Sequence, residues 1–302
     1  FNTFSETCSF SVQTNDTGSG PTGPAATPPS QAFSIIVFNA LAFVAGGDTD
    51  TVEVINTETN QFVTSIGSLG ITATGEPDQV AISPDGRYVF VSVVDTHQIV
   101  VIDASTGTPM GNSPFSVGAN CNGPLGLATT LTATGVRRLF VACSVNAGGT
   151  PDERVVTYDF NPTGGAGGNG ALTLFATADF TGAGGTDHDP QHLAITPDGS
   201  TVFVAFRGDT AAGEWSRVDA ATGAIIQNAG NDFTVFSPAC ANPSSIAIAQ
   251  TAATGNPVEV YVVCETASSV AVLDAATLAQ QAANISLGGS TPNTVRFTPD
   301  GS

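Results

Sequence analysis

Apolar residues along this chain gather in short runs of about four to six, set apart by clusters of Gly, Pro, Asn, Asp, Ser and Thr. Runs of that length, rich in Val, Ile and Phe and bounded by turn formers, predict strands rather than helices. They also recur in a fixed order. A Pro opens a short apolar strand that often turns at Pro-Asp-Gly: residues 77–86 (PDQVAISPDG), 124–128 (PLGLA), 190–199 (PQHLAITPDG), 243–248 (PSSIAI) and 292–301 (PNTVRFTPDG). Residues 32–37 (AFSIIV) form an earlier, degenerate copy without the Pro. A second strand follows each turn, at 41–44, 88–91, 139–142, 202–205 and 260–263. These second strands are unbroken apolar runs, as expected where both faces of a strand are covered. A third strand ends in Asn or Asp, at Asn56, Asp103, Asp159, Asp219 and Asp274, whose side chain can bond the backbone beyond it and start a turn. The fourth strand is the least regular, for example residues 61–66.

The opening prolines at 77, 124, 190, 243 and 292 are spaced by the length of a four-stranded propeller blade. The expected fold is therefore all-β: a β-propeller over residues 31–302, with five complete blades and the start of a sixth. Blades are expected to start near 31, 77, 124, 190, 243 and 292. Pro, strand, Ser/Thr-Pro-Asp-Gly, Tyr/Phe-Val, Val-Ile-Asp and Thr-Gly, in that order, resemble the YVTN repeat of surface-layer propellers and, more distantly, lactonase-type propellers. The third blade departs from the pattern, with residues 129–135 (TTLTATG) in place of the Pro-Asp-Gly turn and a Gly-rich insertion at 164–170. Five blades and one opening strand leave a sheet edge uncovered, so a continuation to six or seven blades is expected.

Residues 18–30 have the Pro/Gly/Thr composition of a semi-rigid linker. In residues 1–17, Phe4, Cys8, Phe10 and Val12 alternate with polar positions, which predicts a strand with one apolar face. Such a strand can close its own ring, the expected arrangement, or add to the sheet of a neighbouring copy and build a filament or lattice.

The chain has five cysteines, and four of them fall at equivalent positions in two repeats. Cys121 and Cys240 each stand three residues before a blade-opening Pro, and Cys143 and Cys264 each end the second strand of the same blade. This predicts disulfides Cys121–Cys143 and Cys240–Cys264, and with them an oxidising, extracellular location. Cys8 is left over, unpaired or bound for another chain.

With 26 acidic residues against seven basic ones, all arginine, the net charge is −19, which argues against nucleic acid and anionic membrane as partners. No apolar run is long enough for membrane insertion. Partners consistent with the sequence are a second copy of the chain and cell-surface glycans.

The densest polar cluster is Asp187, His188, Asp189 and His192, a set that could hold a divalent metal; the plainer reading is a hydrogen-bonded loop. Lactonase-type propellers resembling this repeat also carry His near that strand, but no Arg/Glu array for a sugar phosphate stands beside these residues. Asp48 and Asp50 could offer oxygens to calcium, though the stretch reads equally as a turn. No other cofactor is expected. His97 is expected to face solvent in its turn, and Trp215, beside Glu214, to pack between blades. Asn15 and Asn284 match the N-glycosylation pattern. With no nucleophile elbow or phosphate loop, the expected function is non-enzymatic: a secreted structural, surface-layer or filament subunit, or an adhesion module. A lactonase or other metal-assisted hydrolase working in the channel is the alternative, and a glycan or small-molecule receptor the third reading.

Overall fold

A computed structural model describes residues 5–12, 31–38, 41–71, 75–144, 153–180, 188–208, 213–227, 232–236, 239–249, 258–277, 279–280, 283–289 and 291–297. Every regular element among them, apart from two 3-10 turns, is a strand. In chain order these are β1 (Ser5–Val12), β2 (Gln31–Phe38), β3 (Leu41–Gly46), β4 (Thr51–Asn56), β5 (Gln61–Ile66), β6 (Pro77–Ile82), β7 (Tyr88–Val93), β8 (Gln98–Asp103), β9 (Thr108–Pro109), β10 (Phe115–Ser116) and β11 (Pro124–Leu131). They continue as β12 (Arg137–Cys143), β13 (Arg154–Asn161), β14 (Ala171–Asp179), β15 (His188–Ile195), β16 (Thr201–Gly208), β17 (Glu214–Asp219), β18 (Thr234–Val235), β19 (Pro243–Ile248), β20 (Glu259–Cys264), β21 (Ser269–Asp274) and β22 (Ile285–Ser286).

Each repeat folds as one antiparallel sheet. Blade 1 is β3-β4-β5, blade 2 is β6-β7-β8 with β9 and β10 outside it, and blades 3, 4 and 5 are β11–β14, β15–β18 and β19–β22. The repeat's turn chemistry explains why the chain folds back at these points. In blade 2, Ser83 donates to the Asp85 carboxylate at 2.6 Å, and Gly86 takes the left-handed conformation, φ 69°, that closes the turn. In blades 1, 4 and 5 the Asn or Asp ending the third strand accepts from the backbone two and three residues on, as Asp219 does from Ala221 N at 3.1 Å and Thr222 N at 2.8 Å. Asn56 and Asp274 repeat that geometry.

The core lies between the blades. Alternate residues of the second strands of blades 2, 3 and 4 point to opposite neighbours: Val89, Val91 and Val93 pack on blade 1, while Phe90 packs on blade 3. Likewise Val202, Val204 and Phe206 meet blade 3, and Phe203 and Ala205 meet blade 5. Burial on both faces is why these runs show no polar alternation. Trp215 belongs to the joint between blades 4 and 5, buried and stacked on Phe203 with ring centroids 5.9 Å apart.

Polar ties cross the same joints. Arg137 of blade 3 pairs with Asp85 of blade 2, and Arg138 pairs with Asp159 while donating to Ala220 O and Ala221 O of blade 4. The Gly-rich insertion of blade 3 docks on blade 2, where the Asn112 side-chain amide donates to Ala166 O at 3.1 Å and Gly170 O at 2.9 Å. Disulfides join Cys121 to Cys143 and Cys240 to Cys264, with Cα–Cα distances of 5.1 and 4.8 Å.

Two segments sit differently from the sequence expectation. β2, read as the opening strand of blade 1, pairs antiparallel with β1, Cys8 lying opposite Ile35 and Phe10 opposite Phe33. The backbone of β1 thus finds its ladder within the N-terminal region and not on the last blade. Phe4 lies outside the described residues. The opening of the sixth repeat, residues 291–297, follows β19 without forming a ladder with it. Side-chain bonds from Ser244 and Ser245 to residues 292–295 hold it there, and Phe297 meets Tyr261 edge-on with centroids 5.0 Å apart.

Candidate functional site in the central channel

Among the described residues, β6, β11, β15 and β19 each have a strand partner on one side only. Their other edges face a central cavity of about 310 Å³, which residues of the sixth repeat, Arg296 and Phe297, complete. Backbone amides and carbonyls therefore contribute to the wall beside the side chains.

Counting from each repeat's Pro gives a common register. The second residue after it is Gln79, Gly126, His192, Ser245 and Thr294 in successive repeats, and the fourth is Ala81, Ala128, Ala194, Ala247 and Arg296. At that fourth position a ring of alanines is broken once, by a guanidinium. Four of the inner strands also carry a bulge just after the Pro, where the register shifts against the second strand.

His192 is half-buried in the cavity wall, and its imidazole is pushed down to about 4, first by burial and then by the positive charge of Arg296. The ring is therefore neutral at pH 7. Arg296 donates through Nη1 to Val295 O at 2.7 Å and to Ser245 Oγ at 3.1 Å. Ser245 is the buried hub of this corner, accepting also from Val295 N at 3.3 Å. Arg296 is exposed at the edge of the cavity that it lines, and among the described residues no carboxylate pairs with it.

The other residues singled out in the sequence fare variously. Asp187 lies outside the described residues, as does the side chain of His188. Asp189 is held by the Gln191 side-chain amide at 2.7 Å, and no group of three or more His, Cys, Asp or Glu side chains converges on a metal-sized site among the described residues. Asp50 takes a left-handed conformation, φ 53°, behind the 3-10 turn Gly47–Thr49, so the stretch is a turn; the Asp48 side chain lies outside the described residues. His97 corrects the solvent-facing expectation: half-buried, it accepts through Nδ1 from Gly123 N at 3.1 Å, and its carbonyl accepts from Val117 N at 2.9 Å, bracing the loop that leads to Cys121. Asn284 is half-buried and donates its side-chain amide to Ala239 O at 2.8 Å. Asn15 lies outside the described residues. The residue that sequence reasoning missed is Arg296. Its signal was an Arg in the register of four alanines, a comparison that matters only once the inner strands are known to share one channel.

By sequence, no family model and no curated protein matches the chain. By structure, it is similar to a periplasmic gluconolactonase of Pseudomonas aeruginosa, with a TM-score of 0.58 and 18% identity over 85% of this chain and 69% of that one. A putative 6-phosphogluconolactonase of Bacteroides fragilis gives a TM-score of 0.57 at 15% identity, covering 84% and 69% of the two chains. A functionally unknown protein of Desulfotomaculum acetoxidans gives 0.55 at 13%, covering 88% and 77%. At these identities the shared feature is the fold, and with the blade sheets and the channel it makes this chain a β-propeller.

Proposed function

We propose that the channel is the active site of an extracytoplasmic lactone hydrolase. The observation that carries this reading is the meeting of His192 and Arg296, from repeats about a hundred residues apart, on one cavity. A neutral imidazole can take a proton from water as it adds to the lactone carbonyl. The tetrahedral oxyanion that forms is stabilised by the Arg296 guanidinium. The ring C–O bond then breaks, and the imidazolium returns its proton to the departing alkoxide, leaving a hydroxy acid. An imidazolium with a low pKa is a strong acid for that last transfer. Two neighbours of similar fold, a gluconolactonase and a putative 6-phosphogluconolactonase, support the same reaction class. Two disulfides suit a compartment outside the cytoplasm.

The test is acid release in a pH-stat from a panel of aldonolactones and simple lactones. Turnover is expected in the wild type, with kcat/KM rising through about pH 4 to a plateau as His192 loses its proton. His192→Gln and Arg296→Met are each expected to lower it on the order of 10²-fold. Wild-type turnover unchanged in both variants would overturn the assignment, as would a chain inert toward every lactone tried.

A second reading is favoured by one observation. β1 and β2 form a ribbon apart from the blades, while β3 has no strand on its inner side among the described residues. An extracellular subunit that assembles through Cys8, Phe10 and Val12 of β1 would use such a ribbon. Deleting residues 1–17 should then convert assemblies into single particles by light scattering; assembly that survives the deletion refutes this second reading.

A further inference from the structure

We propose that Gly126, backed by Ser92, is the positioning residue for His192; this rests on the reading of His192 as the general base.

Gly126 occupies the register position filled by side chains in the other inner strands, Gln79, His192 and Ser245. Its backbone is not among the left-handed glycines, so conformational freedom is not the reason for it. Space is. A Cβ on Gly126 would lie 2.4 Å from Gln191 O, 3.0 Å from His192 Cα and 3.1 Å from the Gln191 carbonyl carbon. These are backbone atoms, so no side chain can swing aside to relieve the contact. β11 and β15 can approach this closely only because position 126 has no side chain. The bulge between Pro190 and His192 brings Gln191 to that point of contact.

The other side of β11 is clamped. The fully buried Ser92 donates to Leu125 O at 2.9 Å and accepts from Gln79 N at 3.0 Å, so one hydroxyl ties the residue before Gly126 to blade 2. A chain of contacts then runs from blade 2 through Leu125 and Gly126 to the backbone of His192. It sets how deeply the imidazole sits in the wall, and therefore how strongly burial disfavours its charged form. In Gly126→Ala the methyl must part β11 and β15 at this point by at least 0.6 Å, from 2.4 Å to the roughly 3.0 Å at which a Cβ can sit. That opens the wall beside His192 to water.

The experiment is an NMR titration of the histidine side chains in the full chain, assigned with His192→Gln, alongside lactone turnover. In Gly126→Ala the His192 midpoint is expected to rise by about one unit toward the ordinary histidine range. The acid limb of the kcat/KM profile should move with it, kcat falling on the order of 10²-fold. A folded Gly126→Ala protein with an unmoved His192 midpoint overturns the proposal. Should that variant fail to fold, Ser92→Ala removes only the clamp's hydroxyl: a smaller upward shift supports the proposal, and none overturns it. The titration does not depend on turnover, so a wild type inert toward lactones would sink the hydrolase reading while the role of Gly126 is still decided by the midpoint.

Discussion

Arg138→Met removes a buried guanidinium that ties strands within blade 3 and joins that blade to blade 4. Arg138 is 6% exposed, and its guanidinium meets Asp159 with two bonds of 2.8 and 3.1 Å and donates to Ala220 O at 2.9 Å and Ala221 O at 2.7 Å. It also lies over the Phe175 ring, 3.4 Å from the centroid. Removing one member of a buried ion pair costs about 3–5 kcal/mol, because the remaining groups lose partners that water cannot replace. Here Asp159 keeps 29% of its side-chain surface and can be rehydrated, and methionine restores much of the apolar stem packing, which places the cost near the lower limit, at about 3 kcal/mol. Arg137 is the internal comparison. Its partner Asp85 retains bonds from Ser83 Oγ and Arg87 N when the guanidinium goes, so Arg137→Met should cost about 1–2 kcal/mol. Urea unfolding followed by the fluorescence of Trp215, the sole tryptophan and a buried member of the joint between blades 4 and 5, reads both variants against wild type. A loss under 1 kcal/mol in Arg138→Met, or a larger loss in Arg137→Met, would refute the view that the buried guanidinium anchors blade 3 and its joint with blade 4.

Acid stability should depend on His192. Its folded pKa is pushed down to about 4 from 6.5, so between these values the unfolded chain binds the extra proton and stability falls as pH drops, by about 3 kcal/mol once pH is below 4. His192→Gln should lack that component; denaturation midpoints of the two proteins that stay parallel from pH 7 to 4 would contradict it. Replacing either cysteine pair by alanine should cost about 3 kcal/mol, since the bridges span similar separations of 22 and 24 residues. Calorimetry showing one pair dispensable would mean that its blade is held by other contacts.

Much of the architecture could be read from the repeat itself. The Pro that opens each inner strand, the turn residues, and the unbroken Val, Ile and Phe runs all follow from local backbone preference and two-sided burial. Cys121, Cys143, Cys240 and Cys264 were legible as two bridges because one geometry occurs twice. His192 was visible as a polar residue at the start of an inner strand, although it was grouped with Asp187, His188 and Asp189. That grouping followed sequence proximity, whereas the bulge after Pro190 and the free edge of β15 take His192 to the channel and leave Asp189 to Gln191. The orientation of His97 was not legible either, because the loop it supports is anchored through a disulfide to another strand.

What the sequence alone determined, then, is the blade: its length, its turns, its bridges and the faces it buries, all governed by interactions within some fifty residues. The tertiary structure decided which residues of different blades meet. Arg296 joins His192, and Gly126 admits the backbone of β15, only because the repeats stand around one axis with their inner edges together. Such contacts leave no local pattern, since the strand folds equally well with Ala or Arg, or with Gly or Gln, in those positions. The ring of packed blades gives them their chemical meaning.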